Sequence, residues 1–381
     1  MNPVVIIGSG YAGYSVAREF RRRDKEAPLL VMTADDGHFY SKPALSEAFG
    51  EAAAARPLVS KTAEQMAAQI KGEVRTAVRV DKIDRGAREL FLGNEIIPYS
   101  QLVLAIGADP VRLPVTAGAA GRAFAVNGLD DYERFREAIA GKKRITILGA
   151  GLIGCEFADN LNRAGYSIEV IDLAAYPLSR LVPPENGRFL HDALQRAGVR
   201  WRLGAGVSEL QTVGDEVRVR SSNGEQWAAD VVLSAIGLRP RTALAQAAGL
   251  DTHRGIVVDR HLRSSDPHIF ALGDCAEVAG HLLPYIAPIS LAGKVVAANL
   301  AGGDAVVCYP AMPVRVKTPT CPTVVYPPPE DVNGAWTTQS DSTGMQSLFN
   351  DVAGTLQGFA LSGSCVAQAE ALARQIPMLL E

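Results

Sequence analysis

The feature that most constrains this chain is a motif it carries twice. Residues 4–13, VVIIGSGYAG, and residues 145–154, ITILGAGLIG, each run an apolar, strand-like stretch into a G-x-G-x-x-G loop. The glycines are Gly8, Gly10 and Gly13 in the first copy and Gly149, Gly151 and Gly154 in the second. Each loop leads into a helix-like segment, Tyr14 to Arg23 and Cys155 to Ala164, and then into another apolar strand, Leu29 to Thr33 and Ile168 to Asp172. In such a unit the first glycine makes a tight turn, the second lets a pyrophosphate approach the backbone, and the third lets the helix pack close to the strand. The helix N-terminus then offers free N–H groups and a favourable dipole to the phosphates. One copy is a weak signal because glycine-rich turns are common. Two copies in matched contexts predict two dinucleotide-binding units.

A second pair of echoes supports the duplication: LVLAIGADP at 102–110 and VVLSAIGLRP at 231–240, each a closing strand that leads out through Gly107 or Gly237. Before each lies a run of short alternating strands, 74–98 and 199–230, with turns expected at Gly93-Asn94 and Asn223-Gly224. The expected fold class is α/β: two Rossmann-like doubly wound units, each with a small antiparallel insertion. From about 312 the pattern changes to short strands broken by prolines, with one helical stretch at 364–376, which predicts a small α+β C-terminal domain. The boundaries read as 1–109 with 239–311 for a discontinuous first unit, 110–238 for the second, and 312–381 for the last.

With 381 residues, two or three domains each have room for a core. A formal charge of −3 lacks the basic excess of a nucleic-acid binder, so none is expected as partner. No stretch of about 20 apolar residues predicts a membrane span. Met1-Asn2-Pro3 runs straight into the first strand without the basic start of a signal peptide, so a cytoplasmic location is expected. The five cysteines, Cys155, Cys275, Cys308, Cys321 and Cys365, are widely spaced with no C-x-x-C pair. They read as reduced structural thiols, with no metal site.

An acid at the end of the second strand pairs with an adenosine ribose hydroxyl in folds of this kind. The second unit has Asp172 there, and a carboxylate repels a 2′-phosphate, so this unit is expected to prefer NADH to NADPH. The bland alternative is an exposed acid in a βα turn. The first unit has Thr33 at the aligned place, followed by Ala34, Asp35 and Asp36, and does not assign its nucleotide by that corner.

The ordered set VIIGSGYAG, YSKPALS at 40–46, ILGAGLIGCEFA at 147–158 and FALGDCAE at 270–277 resembles the pyridine nucleotide-disulfide reductase superfamily, best its ferredoxin and rubredoxin reductase branch. The resemblance spans about 1–310, with PVRVKTPTCP at 313–322 pointing to the rubredoxin side. It implies FAD in the first unit and NADH as electron donor in the second. The FAD contacts it implies are Gly8, Ser9, Gly10 and Gly13 in the loop, Thr33 and Ala34 at the corner, Arg79 and Val80 beside the adenosine, and Gly273 and Asp274 at the ribityl chain. Ile286 is expected beside the isoalloxazine, ahead of a helix beginning near Ile289, and Lys317 near the pyrimidine edge. Gly149, Gly151, Gly154, Asp172 and Gly237 are expected to hold NADH. Lys42 is expected near flavin N5, paired with Glu156 in GCEFA, where the pair positions the nicotinamide side of the ring. Read alone, Lys42 is a solvated lysine and Glu156 an ordinary acid in a first helical turn.

Disulfide-reducing members of that superfamily carry two cysteines about five residues apart soon after the first unit begins, whereas this chain has no cysteine before position 155. A dithiol relay is therefore excluded, and electrons are expected to leave the flavin directly, singly, to rubredoxin. A related ferredoxin, or a non-catalytic NADH-sensing flavoprotein like apoptosis-inducing factor, are the alternatives. Arg21 to Arg23, Lys142 to Arg144 and Lys317 are candidates for steering an acidic carrier, ordinary solvated charges being the alternative. The short last segment suggests a monomer.

Overall fold

The computed structural model describes residues 1–49 and 58–381. The two glycine motifs open two parallel sheets of the same design. In the first, the strands run in the order 269–271, 101–104, 4–7, 29–32, 73–75, all parallel. In the second the order is 123–124, 231–234, 144–148, 167–172, 200–203, again all parallel. The central strands are buried on both faces, which is why they read as continuous apolar runs rather than alternating ones.

Each unit carries its expected antiparallel insertion ahead of its closing strand: three strands over 82–98 in the first and three over 207–229 in the second. Both expected turns are present, Gly93 taking a φ of +56° and Gly224 of +91°. The strands 73–75 and 200–203, placed by sequence at the starts of these insertions, instead join the parallel sheets as edge strands. Chain passage between the units is a two-stranded ribbon, Ala108–Pro110 antiparallel to Leu238–Pro240, clasped by Arg241 on Asp109 at 2.6 Å.

Both glycine-loop helices begin three residues earlier than expected, Tyr11–Arg23 and Leu152–Arg163, because Gly10 and Gly151 themselves act as N-caps. The helix expected near Ile289 begins at Ile286, since Pro288 lies in its first turn, where a missing N–H costs nothing. It crosses Tyr11–Arg23 closely: a Cβ on Gly293 would stand 2.8 Å from Ser15 Oγ. The C-terminal domain is a five-stranded antiparallel sheet. Its expected single helix is instead a 3₁₀ turn, Ser364–Gln368, running into a short α-helix, Ala369–Ala373. Val316, Cys321, Val325 and Ala360 of this domain share a core with Cys155, Phe157, Ala158 and Leu161 of the second glycine-loop helix. That helix is thus held between the second sheet and the C-terminal domain.

Candidate functional site

The two loops present the same three-glycine geometry. A Cβ on Gly8 would lie 2.2 Å from the Ala105 carbonyl oxygen, and one on Gly13 1.9 Å from that of Gly8. The second loop repeats this, with Gly149 2.6 Å from Ala235 O and Gly154 2.0 Å from Gly149 O. Gly10 and Gly151 face open space, with nothing within 4 Å of the Cβ position. No side chain caps either helix, so their first-turn N–H groups are left for a ligand. The chain therefore fits two dinucleotides: outer glycines close the turn, and the middle glycine leaves a pyrophosphate its approach.

In the second unit Asp172 folds back on this loop, accepting from Ala150 N–H at 2.6 Å and Ala174 N–H at 2.7 Å, which sets its carboxylate beside the phosphate cradle. Gly237 is exposed, takes a φ of +112° and accepts from Val111 N–H at 3.0 Å, at the junction of the closing strand with the ribbon. In the first unit the acid at this corner is Asp35, two residues beyond Thr33. Ser9 and Thr33 hydroxyls donate to its Oδ1 at 2.9 and 2.6 Å, and Gly37 N–H at 3.0 Å. Ala34 stands exposed at this corner. The Val78 N–H bonds Thr33 O and the Ala77 N–H bonds Asp35 O, each at 2.9 Å, which lays exposed Arg79 and buried Val80 just beyond. Only the two-residue offset after Thr33 signalled Asp35 in advance.

Gly273 takes a φ of +80° and its Cβ position lies 2.9 Å from Ala12, so the strand 269–271 ends against the first glycine-loop helix. Asp274 follows in the turn Gly273–Cys275. Exposed Ile286 opens its helix, whose Ser290 hydroxyl lies 2.8 Å from that of Tyr11 and donates to Ile286 O.

The expected Lys42–Glu156 pair is not formed. Glu156 is fully buried, and its partner is Lys317, whose ammonium lies 3.0 Å from Oε2 and whose N–H donates to Oε1 at 3.0 Å. Ser46 donates to Oε2 at 2.7 Å and accepts from Lys317 Nζ at 2.9 Å, while the Pro43 carbonyl also accepts from Nζ. The physical reason is the 3₁₀ turn Lys42–Glu47. With three residues per turn, Pro43 and Ser46 share the face toward Glu156, and Lys42 is rotated off it by roughly a third of a turn. Phe49, packed on Tyr132, Phe135 and Phe157, anchors this segment on the second unit. Lys42 is left exposed at its tip, 3.4 Å from Asn127 Oδ1. Crowding by protein around it lowers its pKa below the usual lysine value, the charge of Asp274 opposing that shift. Lys317 is thus an ion-pair partner in a buried cluster; Ser46 closes the YSKPALS segment, which gave it no role, and Asn127 carries no local sequence signal.

Of the remaining steering candidates, Arg23 and Lys143 are exposed, whereas Arg21, Arg22 and Arg144 are engaged internally. Arg21 is buried, donating to the carbonyls of Ile70, Asp24, Ala27 and Lys71. Arg22 pairs with Glu19, and Arg144 with Asp230 and Glu216. Among the described residues no group of His, Cys, Asp and Glu fit to hold a metal is found, and no helix is long and apolar enough to cross a membrane. Cys155, Cys275 and Cys321 are buried and their thiols are pushed up by burial, the latter two to about 11.

Residues 2–297 match the family model described as pyridine nucleotide-disulphide oxidoreductase. The chain belongs to this family. Residues 306–376 match the model of a rubredoxin binding C-terminal domain. Among curated relatives of this oxidoreductase, the rubredoxin-NAD(+) reductase of Alcanivorax borkumensis is 44% identical, covering 100% of both chains. That of Acinetobacter baylyi is 42% identical over 100% of this chain and 99% of its own. Among solved structures, a covalent putidaredoxin reductase–putidaredoxin complex superposes with a TM-score of 0.89 at 26% identity, over 99% of this chain and 94% of that one. The ferredoxin reductase for the CYP199A2 system from Rhodopseudomonas palustris gives 0.86 at 28% identity, over 95% and 91%. The family membership bears out the expected fold class and marks the chain as an oxidoreductase.

Proposed function

We propose that this chain is an NADH-dependent flavoprotein reductase that passes electrons one at a time to a rubredoxin. The observation that carries the reading is the pair of matched nucleotide cradles, together with a 40–47 segment that holds Lys42 and Ser46 and no thiol. The rubredoxin-NAD(+) reductases similar over the full length, and the match of 306–376 to a rubredoxin-binding domain, support the acceptor. FAD, when bound, accepts a hydride as two electrons and releases them singly.

In this reading Gly8, Ser9, Gly10 and Gly13 hold the FAD pyrophosphate, and Thr33, Ala34, Arg79 and Val80 its adenosine, with Asp35 added to them. Asp274, behind Gly273, takes a ribityl hydroxyl. Lys42, Ile286 and the Lys317–Glu156 pair border the ring. Gly149, Gly151 and Gly154 hold the NADH pyrophosphate, Asp172 its ribose, and Gly237 the junction. The segments 1–109 with 239–311, 110–238 and 312–381 form the FAD, NADH and acceptor domains, in a monomer acting in the cytoplasm. A second reading, a ferredoxin as acceptor, is favoured by the ferredoxin and putidaredoxin reductases among the superposed structures.

Double-mixing stopped flow tests this: NADH is expected to bleach the flavin rapidly, and oxidised rubredoxin in the second push to restore its colour in one-electron steps. Reoxidation by a ferredoxin alone would move the acceptor and leave the sites standing. A protein without flavin, or a flavin that stays oxidised with NADH, would end the electron-transfer reading.

A further inference from the structure

Asp159 lies one helical turn beyond Glu156 on Leu152–Arg163 and is fully buried. Among the described residues no salt bridge reaches it; its two oxygens accept instead from Thr320, one from the backbone N–H at 2.9 Å and one from the hydroxyl at 2.5 Å. A carboxylate taken out of water with only neutral donors against it is costly, so a stability role alone is a poor account of it. Beside it Asn160 Nδ2 donates to the carbonyls of Glu156 at 2.9 Å and Lys317 at 3.3 Å. The loop 317–321 is therefore pinned to this one helix near both ends: at Lys317 by Glu156 and Asn160, at Thr320 by Asp159. From the first end, the Lys317 side chain crosses to Glu156, Ser46 and Pro43.

We propose that Asp159 and Thr320 are positioning residues, a clasp that holds the loop 317–321 of the C-terminal domain so that the Lys317 ammonium stays against Glu156 beside the flavin. The clasp has the right form for this task. Lys317 has a long, flexible side chain, and tying its backbone N–H and carbonyl to side chains of a helix reduces what must be ordered to place the charge. Two of the three anchors along the helix involve carboxylates, and charge-assisted hydrogen bonds are the stronger kind. The inference rests on the proposal that the first unit binds FAD with its ring near this pair.

The test is a spectroelectrochemical titration of the flavin-loaded full chain, with thermal unfolding followed in parallel. Lys317→Gln is expected to lower the flavin potential, because an ammonium nearby favours the electron-rich reduced ring. Thr320→Val, which changes no charge, is expected to lower it in the same direction, the reduced-to-oxidised ratio at fixed applied potential falling about fivefold or more. Thr320→Ser is expected to restore it, and Thr320→Val to add nothing in the Lys317→Gln background. Asp159→Asn separates two causes: loss of a negative charge alone raises the potential, whereas loss of the lysine's placement lowers it. The clasp is overturned if Thr320→Val lowers only the unfolding temperature while Lys317→Gln lowers the potential, or if the two effects add. An unchanged potential in Lys317→Gln overturns it differently, by removing Lys317 from the ring's surroundings. A chain that binds no flavin sinks the proposed function itself.

Discussion

At Gly151 and Gly154 the same residue type does two different jobs, and substitution separates them. Alanine at 154 would put a Cβ 2.0 Å from the Gly149 carbonyl oxygen, a backbone atom, with nothing flexible to yield. Gly154→Ala is expected to destabilise the chain by about 3 kcal/mol, read as a fall in unfolding temperature. Gly151→Ala meets nothing within 4 Å. It is expected to change stability by less than about 1 kcal/mol and to weaken NADH at least tenfold (~) in a binding titration, since its methyl occupies the phosphate's approach. Equal effects of the two changes would contradict this division. Glu156 makes a third case at this scale. Its carboxylate is neutralised by one ammonium, and Lys317→Met leaves it buried and uncompensated, which is expected to cost about 3–5 kcal/mol. The glycines were legible in the sequence because their task is local. Asp35 was half legible, standing two residues past the aligned Thr33.

Among elements, the strand Arg144–Leu148 is fastened at its start by a carboxylate. Asp230 accepts from Lys143 and Arg144 N–H, both at 2.9 Å, and from the Arg144 guanidinium at 2.6 Å. Partial burial pushes its carboxyl up, but the hydrogen bonds from Arg144 and from the two N–H groups outweigh that and bring it down to about 2 from 3.8. A folded pKa below the unfolded one means the stabilisation is complete above about pH 4 and disappears as pH falls toward 2. Asp230→Asn is expected to cost about 2 kcal/mol at neutral pH and nothing below pH 2, checked by denaturant unfolding at several pH values. The elements themselves followed their apolar pattern, whereas two edge strands did not. Strands 73–75 and 200–203 carry mixed polarity that suits an insertion hairpin as well as a sheet edge, and only pairing with 30–32 and 169–172 decided between them.

Over the whole molecule, electron flow without thiols makes a simple expectation. Cys155, Cys275 and Cys321 are buried, Cys365 is partly so, and Cys308 is exposed. A chromogenic thiol reagent is expected to find Cys308, and Cys365 more slowly, in the native chain and all five in denaturant. The variant with Cys308→Ser and Cys365→Ser is expected to keep full acceptor reduction; a large loss would reinstate a thiol in the pathway. The sequence by itself determined the two parallel-sheet units, their loops, the absent dithiol and the change of pattern near 312. These follow from spacing along the chain, in which strand periodicity, glycine conformations and a helix N-terminus involve residues within a few positions of one another. Only the tertiary structure decided which lysine meets Glu156. The candidates Lys42 and Lys317 lie 114 and 161 positions away along the chain, and the choice turned on the rotation of one 3₁₀ turn and on a loop brought in from the C-terminal domain. A buried charge selects its partner by proximity in space, and chain distance carries no record of that.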